Sequence, residues 1–190
     1  ARLGLIATAM LFTGQFAAYT YIAPFLTQIS HLAAGTVSAM LLVYGAAGFI
    51  GNLVGGWAAG RYERAALMVT GAVLGVSTLA LAALGSHALT AMLLVAVWGF
   101  GFGAMPIAVQ TWMFKAAPHL MEGSSALFVA IVQVSLASGA LLGGMAVDRL
   151  GVSSAMVLGG VFALGCALTI ALFGKPQASV KADAGAACQG

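Results

Sequence analysis

This sequence has very little charge. Lys, Arg, Asp and Glu make up 6% of its 190 residues. An ordinary soluble domain carries about 25%. Seven basic and four acidic side chains cannot clothe a water-facing surface of this size. That excludes a soluble globular domain and a disordered chain. The net charge of +3 is too small and too scattered to track nucleic-acid phosphates. Cysteine is scarcer still, with two in the chain. Cys166 lies in an apolar stretch and Cys188 near the end, so there is no disulfide framework. His31, His87 and His119 fall at polar breaks and form no metal-ligand spacing. No Gly-rich phosphate loop ending in Gly-Lys-Ser/Thr is present, and neither cofactor nor metal is expected. No segment alternates with period two, which excludes a transmembrane barrel.

What remains is apolar. Hydrophobic residues make up 62% of the chain and the mean hydropathy is +1.08. The charges are Arg2, Arg61, Glu63, Arg64, Lys115, Glu122, Asp148, Arg149, Lys175, Lys181 and Asp183. Residues 3–60, 65–114, 123–147 and 150–174 are free of them. A spanning helix needs about 20 apolar residues. The first two stretches hold two spans each and the last two hold one each. Six transmembrane helices are predicted: 4–28, 37–59, 66–85, 89–113, 124–147 and 153–173. The internal breaks fall at Ser30 to Gly35 and at Gly85-Ser86-His87.

Six of the seven basic residues then lie on one side and only Arg149 on the other. The positive-inside bias puts both termini in the cytoplasm. Residues 1–174 form the membrane domain, and 175–190, past Pro176, are expected to be a disordered cytoplasmic tail. The first apolar stretch outruns the h-region of a signal peptide. The chain starts at Ala1 rather than Met, and a fragment of a longer protein is expected.

The sequence also repeats itself. Residues 51–73 and 139–161 match at ten of 23 positions without gaps, including Gly55-Gly56 with Gly143-Gly144 and Arg61 with Arg149. The offset of 88 residues gives units of about 4–85 and 89–173. Each unit holds three spans, so the second copy is upside down. The predicted fold is therefore all-α and integral to the membrane, built as two inverted three-helix repeats. Secondary transporters use this construction, with a site near the midplane between repeats.

Three segments carry a family resemblance: FTGQFAAYTYIAPFL (12–26), GFIGNLVGGWAAGRYER (48–64) and SALFVAIVQVSLASGALLGGMAVDRLG (125–151). They resemble the C-terminal six-helix half of a major facilitator superfamily transporter. The nearest flavour is the bacterial drug:proton antiporters, with their sugar and nucleoside exporters. The resemblance implies an inner-membrane carrier whose N-terminal six-helix half is missing from this chain or supplied by another. It implies a gating loop on Gly56, Arg61 and Arg64. Gly60 stands where that loop often has Asp. A fuller copy, Gly144-x-x-x-Asp148-Arg149-x-Gly151, lies on the other face.

No charged residue lies within any predicted span, so if transport is proton-driven the titrating group belongs to the other half. An unpaired amide in lipid costs several kcal/mol, so the polar span residues face protein or a watery cavity. Phe12, Gln15 and Tyr19 share a face of the first span, and Pro24 interrupts it one turn further on. The candidate cavity residues are Gln15, Tyr19, Tyr44, Asn52, Trp98, Gln110 and Gln133. Each amide also fits a role as interhelical glue. Tyr21, Trp57 and Trp112 read as interfacial anchors. The expected function is export of a small organic solute (drug, sugar or nucleoside) by alternating access, with lipid, solute and the missing half as partners. A half-size homodimeric carrier and a non-transporting scaffold stay open. A membrane enzyme is disfavoured, since no His, carboxylate cluster or buried Ser–His pair lies in a span.

Overall fold

The protein was examined as a computed structural model, which describes residues 2–116 and 121–173. Seven helices follow one another: α1 (Arg2–Tyr19), α2 (Ile22–Gln28), α3 (Ala34–Arg61), α4 (Glu63–Leu84), α5 (Ala88–Ala116), α6 (Met121–Leu150) and α7 (Ser153–Phe173). Five of them are long and apolar enough to cross a bilayer. The α1–α2 pair, bent by 40°, supplies a sixth crossing if counted as one span. No strand occurs among the described residues. The predicted tail, 175–190, and His119 lie outside the described residues.

The bend sits at Thr20-Tyr21, one turn before the proline predicted to cause it. Pro24 is the third residue of α2. Its nitrogen cannot donate to the carbonyl four residues back, which is Thr20, and its ring crowds that carbonyl. The ladder loosens there: the Thr20 N–H and Oγ1 both donate to the Phe16 carbonyl, at 3.2 and 2.7 Å, and the Tyr21 N–H shortens its step to the Ala18 carbonyl at 3.1 Å. Helices α3, α5 and α6 overrun their predicted spans at both ends, α4 starts three residues early, and α7 matches its predicted span. A single residue, Tyr62, separates α3 from α4. Glu63, expected in a loop, is the first residue of α4 and is buried. A carboxylate there complements the positive end of the helix dipole.

The six spans pack as a horseshoe. Its order is α6, α1, α7, α4, α5, α3, with α3 and α6 at the open ends. The strongest pairings are α3 with α5, α1 with α6, α1 with α7, α4 with α5 and α4 with α7. Exchange each span of the first unit for its counterpart in the second. The α3–α5 pair then becomes α6–α1, α4–α5 becomes α7–α1, and α4–α7 maps onto itself. That is the pairing an inverted repeat requires.

The repeated glycines are where backbones meet. A Cβ on Gly51 would collide with the Phe100 carbonyl, and one on Gly139 would lie 2.5 Å from the Thr13 carbonyl. Gly51 and Gly139 are 88 residues apart and play the same part in α3–α5 and in α1–α6. Small residues permit this approach where lipid offers no hydrophobic force between helices. Gly151 serves differently. It has φ of 87° and ends α6, its N–H donating to the Val147 carbonyl at 2.9 Å. The Gly151→Ala variant is expected to lose roughly 1 kcal/mol, because Ala tolerates that backbone poorly. A thermal unfolding scan in detergent checks it, and an unchanged midpoint would contradict the assignment.

Candidate functional site

Four of the predicted cavity residues meet where α1, α3 and α5 converge. Gln15 is buried at this junction and its amide is used from both ends. Nε2 donates to the Tyr44 hydroxyl at 2.8 Å, and Oε1 accepts from Trp98 Nε1 at 2.9 Å. One amide thus ties together three helices in an apolar setting. Tyr44 and Trp98 are buried as well. The Tyr44 hydroxyl accepts from Gln15, which leaves its own hydrogen available for donation.

Around this amide stands a cluster of rings. Tyr44 meets Trp98 edge-on, with centroids 5.5 Å apart and planes at 82°. Tyr19 lies 5.3 Å from Tyr44 and 6.4 Å from Trp98. Phe102 completes the set, 5.6 Å from Tyr44 and 6.2 Å from Tyr19. The Tyr19 and Phe102 planes differ by only 7°. Tyr19 is the exposed member, at 38%. The junction therefore combines apolar ring faces with one exposed phenol, Tyr19. Ring faces beside a phenol are the chemistry by which pockets stack and orient planar groups.

Phe102 was not among the predicted residues, although it lies four residues after Trp98 on the same face of α5. That spacing was the available signal. Phe12, which shares a face with Gln15, points elsewhere and stacks edge-on with Phe128 of α6 at 5.8 Å.

The remaining cavity candidates are not brought to this junction. Gln110 lies twelve residues beyond Trp98, about 18 Å along α5. Asn52 on α3 and Gln133 on α6 are exposed, on the two helices that end the horseshoe. An amide left bare to hydrocarbon is costly, so both belong against protein or water.

The charged loop residues divide between the two ends. Arg61 lies over the Trp57 ring, 5.1 Å from its centroid, while Trp57 is exposed as an interfacial anchor would be. Arg64 Nη2 donates to the Ala171 carbonyl at 2.7 Å, at the negative end of α7. Gly56 packs against Ile107 of α5. Asp148 and Arg149 are exposed at the C-terminal end of α6, the opposite end from Arg61. Two predicted anchors are corrected. Trp112 is buried inside the fold. Tyr21 is half-buried, and its hydroxyl donates to the Ala140 carbonyl of α6 at 3.2 Å, where Gly144 makes room for it. Both rings found partners on neighbouring helices, which the spacing along a single helix cannot show.

The profile of the Major Facilitator Superfamily matches residues 4–187. The purine ribonucleoside efflux pump NepI of Escherichia coli is 32% identical over 167 residues, which cover 88% of this chain and 42% of the pump. The transcription regulatory protein OpdE of Pseudomonas aeruginosa is 34% identical over 171 residues, 90% of this chain and 41% of that protein. The chain thus spans about two fifths of the length of these curated relatives. Among solved structures, the POT family transporter PepTSo superposes with a TM-score of 0.76 at 16% identity, over 89% of this chain and 36% of that one.

Proposed function

This chain belongs to the major facilitator superfamily, and from that premise we propose that it is the solute-contacting half of an exporter working by alternating access. The observation that carries the reading is the Gln15–Tyr44–Trp98 junction with the Tyr19 and Phe102 faces beside it. Flat rings and hydrogen-bonding edges suit a nucleoside-like solute: a planar base stacks, and hydroxyls or ring nitrogens meet the phenols. NepI, a relative named for purine ribonucleoside efflux, supports that substrate class.

A second six-helix half closes the horseshoe in this reading. Asn52 and Gln133 stand on the two end helices and turn their amides toward that partner or the shared cavity. Rocking of the two halves exposes the junction first to one side and then to the other. The spans of this half carry no ionised side chain within the hydrocarbon, so the proton-coupling group sits in the partner half. Both termini face the cytoplasm of a bacterial inner membrane, with Arg61 and Arg64 on that side.

Uptake of radiolabelled nucleosides into inside-out vesicles or proteoliposomes tests the proposal. The intact transporter is expected to drive saturable flux against a proton gradient. Tyr19→Ala should weaken half-saturation about tenfold, the worth of roughly 1.4 kcal/mol of lost stacking and hydrogen bonding. No flux across a panel of nucleosides, sugars and planar drugs would overturn the reading.

A further inference from the structure

The back of the horseshoe carries a second feature, remote from the junction. Between α4 and α7 runs an open groove of about 480 Å³, lined by Met68, Ala72, Leu164, Leu168 and Ala171. These side chains are wholly apolar. The mouth of the horseshoe, with its exposed amides, lies on the other flank, so the groove faces the bilayer. At one end stands Arg64. It is one turn before Met68 on α4, and it is bonded to Ala171 of the groove itself. That single bond is the guanidinium's only one among the described residues. Its Nε is buried without a hydrogen-bond partner. Arg64 is half-buried, and a guanidinium on a membrane-facing groove is a charge that an anionic headgroup complements. Arg64 is the second residue of α4, which puts it at headgroup depth.

We propose that the α4–α7 groove binds an anionic glycerophospholipid, one acyl chain lying along Met68, Ala72 and Leu164 and the phosphate resting on Arg64. Shape and charge argue together for this occupant. Two turns of α4 separate Arg64 from Ala72, about 12 Å, which matches a run of eight to ten methylenes. A phosphate on the guanidinium gains charge-assisted hydrogen bonds that a zwitterionic headgroup offers less well. The bound lipid would brace α7 against α4 at the end where Arg64 already holds the Ala171 carbonyl.

Native mass spectrometry of the intact transporter, titrated with phosphatidylglycerol or phosphatidylcholine, tests the site. The wild type is expected to retain phosphatidylglycerol about fivefold more strongly, the worth of one basic residue at a membrane surface. Arg64→Gln should remove that preference and Arg64→Lys should keep most of it. Ala72→Leu, which fills the groove and leaves Arg64 in place, should lower retention of both lipids. The proposal is overturned if Arg64→Gln keeps the wild-type preference, or if Ala72→Leu leaves both lipids equally well bound.

Discussion

Replacing Gln15 with Leu is expected to lower transport by at least an order of magnitude and to loosen the fold as well. The change is close to neutral in volume, so the loss comes from polarity. Trp98 Nε1 and the Tyr44 hydroxyl both lose their partner at a buried junction. Each unsatisfied buried group costs roughly 1–3 kcal/mol. Two such groups on two different helices exceed the roughly 1.4 kcal/mol that corresponds to a tenfold effect. The helices also lose their common tie, so α1 gains freedom relative to α3 and α5. Tyr44→Phe removes one bond and keeps the ring, and should cost less than half as much. Flux assays paired with thermal scans measure both. A Gln15→Leu protein with wild-type flux and midpoint would show that the amide is idle.

The second large effect is expected at a glycine. Gly103 of α5 faces Gly48 of α3 so closely that a Cβ would strike the Gly48 carbonyl. Backbone cannot turn aside as a flexible side chain would. Gly103→Ala should therefore separate α3 from α5, which is also the pair that presents Tyr44 and Trp98. Overpacking of this kind costs about 1–3 kcal/mol, and here it falls on the most extensively packed helix pair. Gly45 lies on the same helix as Gly48 but meets nothing within 4 Å. Gly45→Ala should be neutral or stabilising by roughly 0.5–1 kcal/mol, since Ala favours helix. Size-exclusion chromatography in detergent separates the outcomes. A monodisperse Gly103→Ala protein as stable as Gly45→Ala would mean that α3 and α5 do not cross here.

The positions of a few residues made much of this fold legible. Spans follow from where charges are absent, because hydrocarbon excludes them. The inverted repeat follows from Arg61 matching Arg149 and from the paired glycines, and those glycines turned out to mark equivalent helix crossings. The site was legible only in part. Gln15 and Tyr19 share a helix face, but nothing local says that Tyr44 and Trp98 come to meet them. Those partners are fixed by the approach of α3 and α5, a property of the packed molecule. Asn52, Gln110 and Gln133 looked equivalent to Gln15 because an amide in a span has to be satisfied somewhere. The partner that satisfies it is not written beside it. Phe102 was overlooked for the opposite reason: an apolar ring in an apolar run carries no contrast.

Trp98 is a built-in reporter of the central claim that the aromatic junction touches the solute. In the intact transporter with every other tryptophan replaced by phenylalanine, nucleoside is titrated while Trp98 emission is followed. The account predicts saturable quenching that is abolished by Tyr19→Ala together with Phe102→Ala, with the unfolding midpoint held within a few degrees. Flat emission across the range that saturates transport, or quenching that survives the double replacement, would contradict it.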